Sequence, residues 1–162
     1  MPATVAPIIR HRSKGIVRIS VALATDATAD GGDIGERVIG EAYGRLVGVF
    51  YDGGCDVSAV ITLRTAASLA DATVGAPILA YTTGTEGTPV AFRPTQVVMG
   101  VAGTAVTAGD GSGGAGTGND VNRDIYVAGK LTLEVANMGV SESGNIAFVF
   151  DESDLVDQSL FS

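Results

Sequence analysis

Apolar side chains in this chain return at every second position, and nowhere do they hold a 3.6-residue period for a useful length. In 15–25, GIVRISVALAT, Val17, Ile19, Val21 and Leu23 alternate with smaller or polar neighbours. In 123–139, RDIYVAGKLTLEVANMG, the same rhythm runs through Ile125, Val127, Leu131, Leu133 and Val135. A period of two marks a strand with one buried face, whereas a helix would repeat every three to four residues. The stretch 36–54, ERVIGEAYGRLVGVFYDGG, predicts one long or bent strand, or two. Gly40, Gly44 and Gly48 interrupt it, and their β-branched and aromatic neighbours make them bulge positions rather than helix-packing positions.

Further short runs follow at 56–66 (DVSAVITLRTA), 76–84 (APILAYTTG), 88–107 and 144–152 (GNIAFVFDE). The run 88–107 holds two short strands around Pro94, which cannot donate to a sheet ladder and so marks an edge or a bulge. The segment 65–74 has room for one helical turn, and 154–161 for a short terminal helix or docking strand. The expectation is an all-β fold, an antiparallel β-sandwich of seven to nine strands, jelly-roll-like or immunoglobulin-like. An extended N-terminal arm spans 1–14, a single sandwich domain 15–152, and a short acidic C-terminal tail 153–162. With 162 residues, one domain is the natural count and a real core can be buried.

Composition agrees with strands and tight turns. Glycine supplies 23 residues, about twice its usual share. Charged residues are only 17%, against roughly 25% in ordinary soluble domains, so partners could cover part of the surface. The net charge of −8 argues against general nucleic-acid binding, which needs a basic face. That charge is unevenly spread. Arg10, His11, Arg12, Lys14 and Arg18 lie in the first eighteen residues without an acid, and Asp151, Glu152, Asp154 and Asp157 cluster near the other end without a base. No run is apolar enough for a membrane helix, and 1–9 is too short and too broken by proline for a signal peptide.

The stretch 108–120, AGDGSGGAGTGND, formally contains the G-x-G-x-x-G of dinucleotide sites. That motif works only where its glycines lead into a helix whose N-terminus meets the phosphates. Here a strand follows, and no GK[ST] is present, so the stretch reads as a loop of the sandwich. It also falls short of the calcium-binding glycine repeat, since Gly118 stands where an aspartate is needed.

Other chemistry is sparse. His11 is the single histidine and sits in the basic segment, which leaves no histidine metal cluster and no well-held base for a triad. Cys55 is the single cysteine; a neighbouring acid raises a thiol's pKa, so it reads as a structural residue rather than a nucleophile. No cofactor, metal or catalytic residue is expected, and the chain reads as a non-enzyme.

Four phrases taken together, SKGIVRISVALATDATADGG, GRLVGVFYDGG, TTGTEGTPVAFRPTQ and DIYVAGKLTLEVANMGVSESGNIAFVF, resemble the small β-rich virion proteins of tailed bacteriophages. The likeness covers most of 13–151 and is closest to head decoration, or cement, proteins. It implies a sandwich module on the capsid exterior, made in the bacterial host cytoplasm. Such a module bridges capsomers, often as a trimer, and resists internal DNA pressure. Its partners would be the major capsid protein and copies of itself, with neither nucleic acid nor membrane. No site residue carries over, because no site motif matches. From the residues themselves, Ile8, Ile9, Arg10, Arg12, Lys14 and Arg18 form the expected interface, the cations meeting an acidic shell and the isoleucines filling a groove. A tail, connector or head-fibre component is the alternative, and a glycan- or host-binding module is a further one, weakened by the lack of tryptophan.

Overall fold

A computed structural model describes residues 4–25, 33–55, 58–65, 77–97 and 122–153, with the backbone alone at 4–10, 95–97 and 122–123. Among the described residues nine strands run in chain order: β1 Thr4–Ser13, β2 Ile16–Ala24, β3 Ile34–Tyr51, β4 Val60–Thr65, β5 Pro77–Thr82, β6 Val90–Phe92, β7 Thr95–Val97, β8 Asn122–Ala136 and β9 Ser143–Asp151. All pairings are antiparallel. The order across the ladder is β1-β2-β9-β3-β8-β4-β5, with β6 also on β3 and β7 on β8. The alternating runs therefore became strands, and Pro94 separates β6 from β7. The possible helical turn in 65–74, the glycine-rich 108–120 and the segment 154–162 lie outside the described residues.

The layers are joined by β3. Its first part pairs with β8 from Ile34 to Leu46, and its last part with β9 from Arg45 to Tyr51. One layer is β1, β2, β9, the end of β3 and β6; the other is the start of β3, β8, β4 and β5. Val17, Ile19, Val21, Leu23, Ile146, Phe148 and Phe150 from the first layer share one buried cluster with Ile61, Leu63, Leu131, Leu133 and Val135 from the second.

Three register shifts let one strand serve both layers. Each puts one extra β3 residue into the ladder: between Ile34 and Arg37, between Val38 and Gly40, and between Leu46 and Gly48. An extra residue reverses which positions face inward. The buried residues of β3 accordingly change phase, from Ile34 to Ile39, then Ala42 and Leu46, then Val49 and Tyr51. Two glycines make this possible. Ile19 of the facing layer packs over Gly40, where a Cβ would meet its Cδ1 at 3.3 Å. At Gly44, φ is +145° and a Cβ would lie 2.2 Å from the Asp151 carbonyl oxygen, so only glycine fits.

The segment expected as an arm is extended, and its extension is paired. Thr4–Ser13 lies along β2 as β1, and Lys14 and Gly15 form a two-residue turn with φ of 49° and 80°. Two successive positive φ values are those of a type I′ hairpin, whose twist matches that of the strands.

Candidate interaction face

The outer surface of the first layer is set by register. Arg18 on β2 stands beside Val149 on β9 and His11 on β1. In the next row Ser20 stands beside Ala147, which pairs with Phe50 on β3, which pairs with Ala91 on β6. Small residues on either side of one phenylalanine leave a groove of about 330 Å³. Phe50 is its wall, Ala147, Val90, Ala91 and Pro89 give it apolar sides, and Arg18 and Ser20 close one end. Phe50 remains 47% exposed, although its ring folds back over Gly48, where a Cβ would sit 3.2 Å from it.

The two ends of the groove differ in charge. At one end the Arg18 guanidinium donates from Nε to Ser20 Oγ at 3.1 Å, and no carboxylate among the described residues pairs with it. At the other end lies Asp52, whose carboxylate accepts from Asn145 Nδ2 (2.7 Å) and from the Gly54 N–H (3.0 Å). Burial pushes the Asp52 pKa up, but these hydrogen bonds outweigh it and hold the group below the ordinary carboxylate value. The free cation is thus the groove's unsatisfied charge among the described residues.

The expected interface residues separate on the sheet. Arg18, His11 and Lys14 are exposed. In the β1–β2 ladder Ile9 is the register partner of Ser20, Ile8 of Val21 and Arg10 of Ile19. Arg12 is engaged within the chain: its guanidinium is ion-paired to Glu152, which is only 2% exposed. The other Glu152 oxygen accepts the Tyr43 N–H at 2.7 Å, and the Glu152 N–H donates to the Gly15 carbonyl at 2.7 Å. Glu152 thus ties the β1–β2 turn to β3 at the point where β9 ends.

Cys55 is fully buried, and its N–H donates to the Tyr51 hydroxyl at 2.6 Å. Burial is the largest reason its thiol is pushed up, with Asp52 and Glu142 adding to it, so it is poorly suited to act as a nucleophile. Among the described residues no three His, Cys, Asp or Glu side chains gather as a metal ion would require, and no helix is long and apolar enough to cross a membrane.

Compared with protein families, curated proteins and solved structures, the chain matches none of them. Its surface chemistry has to speak alone. The sequence did not reveal the groove, because its walls come from four strands and depend on the bulges that set the phase of Phe50.

Proposed function

We propose that this protein is a non-enzymatic virion component that binds the outer surface of a tailed-phage capsid and stabilises the shell, as decoration proteins do. The observation that carries the reading is the cation-ended apolar groove over Phe50, set beside the basic β1–β2 hairpin in a chain whose net charge is −8. A basic face on an acidic chain selects an acidic partner surface and steers its approach. An exposed aromatic beside an arginine is the usual composition of an interface anchor. On the reading of its phrases as resembling phage decoration proteins, the occupant is the acidic surface of a shell subunit. Weak single contacts suffice there, since many copies act together on one shell.

The test is co-sedimentation of the purified chain with undecorated phage shells, alongside its mass by light scattering. Wild type should pellet with shells. Ala91→Trp, which fills the groove from an exposed position, and Arg18→Glu, which reverses its end, should each reduce occupancy. Equal occupancy for all three would remove the groove from the contact. A closed ring that ignores shells would favour a tail or connector role. Point substitutions serve better than deletion of 1–14, which would remove β1 and leave Glu152 without Arg12.

One observation favours a second reading. Tyr43 and Tyr126, 42% and 66% exposed, stand on neighbouring strands of the other layer, and Tyr126 is the register partner of Arg45. Aromatic faces beside polar side chains suit a sugar ring. Binding on a glycan array that Tyr126→Ala abolishes would support a host-glycan module.

A further inference from the structure

We propose that the outer edge of β1 receives an added strand: an extended, acidic segment of a partner protein joins the first layer along Ile8–Ser13. This deepens the shell-binding reading and rests on it only for the identity of the partner, a subunit of the shell.

Backbone geometry selects the place. β1 has β2 on one side and no described strand on the other. Its ladder with β2 is unbroken from Ile8↔Val21 to Ser13↔Ile16, after a register shift between Val5 and Ile8 that contains Pro7. Among the described residues, alternate positions of these six regular residues thus leave N–H and C=O groups on the outer side, the template on which extended peptides add to a sheet. The other open edges are poorer. β5 begins at Pro77, a residue without an N–H, and its pairing with β4 shifts register there. β6 and β7 have three residues each. The start of β3 carries two bulges, and its Tyr43 N–H is already taken by Glu152.

Charge selects the occupant. Between Ile8 and Lys14 the chain carries Arg10, His11, Arg12 and Lys14 and no acid, and Arg18 is the register partner of His11. A second copy laid edge to edge would bring Arg10 and Lys14 of the two chains together, and like charges across a strand pair are destabilising. An acidic strand meets these two cations with the opposite sign. The same cations thus exclude self-pairing and admit an anionic partner.

Hydrogen exchange on the full chain tests this with two blocked synthetic hexapeptides, one alternating glutamate and valine, the other lysine and valine. At saturation the glutamate peptide should slow the exposed amides of 8–13 by about tenfold or more, and the lysine peptide should not. The variant Arg10→Glu/His11→Glu/Lys14→Glu keeps the Arg12–Glu152 pair and should reverse the preference. Protection by neither peptide, equal protection by both, or an unreversed preference in the variant would overturn the proposal. The two readings fail separately. Shell binding without peptide preference sinks strand addition alone, and peptide preference without shell binding sinks the shell partner alone.

Discussion

Glu152 offers a quantitative test of how the hairpin is held. Its carboxylate has two partners of unequal weight. Tyr43 supplies a backbone N–H on β3 just before its pairing with β9 begins at Arg45, while the Arg12 side chain is 60% exposed and can return to water. In Glu152→Ala the stranded N–H costs about 1–3 kcal/mol. The lost γ-methylene adds about 0.8 kcal/mol. The ion pair, open to water only on its Arg12 side, contributes about 0–1 kcal/mol after screening. The expected loss is therefore about 2–5 kcal/mol, read by urea unfolding with tyrosine fluorescence because the chain has no tryptophan. For a domain of this size that corresponds to a fall in Tm of about 4–20 °C. Arg12→Ala should cost no more than about 1 kcal/mol. Glu152→Gln, which still offers an oxygen to Tyr43, should recover most of the loss. If Arg12→Ala destabilises as much as Glu152→Ala, or Glu152→Gln as much as both, the backbone bond is not the dominant contact and the reasoning fails.

Gly44→Ala should destabilise by about 2–5 kcal/mol in thermal unfolding, from the strained φ and the collision with the Asp151 carbonyl, whereas Gly87→Ala, in open space at φ +77°, should cost only the backbone strain. Cys55 should resist a thiol reagent such as Ellman's in the native state and react at once in denaturant; rapid native labelling would contradict its burial. Besides Asp52, two surface carboxyls bear on the acid response. Arg93 first and Arg45 second hold Asp124 below its ordinary pKa, and hydrogen bonds from Ser153, with Arg45, do so for Asp151. A carboxyl lowered in the folded state contributes stability that is complete above its unfolded pKa of about 3.9 and is lost as pH falls through the lower folded value. Stability should thus decline below about pH 4, and Arg45→Ala should flatten that decline; an unchanged slope would show that the Arg45 bonds do not matter.

Much of the fold was legible because alternation is a local property. β2, β8 and β9 each keep one phase along their length, so Val17 to Leu23 or Leu131 to Val135 can be assigned to a face from spacing alone. Of the glycines legible as interruptions in 36–54, Gly40 and Gly48 lie at register slips of β3, whereas Gly44 keeps its place in the ladder opposite Val127. The phase changes were not. A bulge is defined by the partner strand it slips against, and nothing in 36–54 states that Ile34 faces β8 while Val49 faces β9. Phe50 therefore looked like any strand aromatic until those slips turned it outward.

The basic segment divides in the same way. Its charge, and hence its preference for an acidic partner, belongs to the residues themselves and holds in any conformation. Its form as an edge strand, with Arg12 drawn to Glu152 across 140 positions of chain, belongs to the tertiary structure. A short hairpin with one lysine and one glycine in its turn gives little local signal, and Glu152 reads as part of an acidic tail until folding buries it against Gly15 and Tyr43. Local periodicity decided which residues could be strands and which side of each could be buried. Only the packed layers decided which strands lie side by side, because a strand's neighbours are set by the whole sheet and not by its own residues.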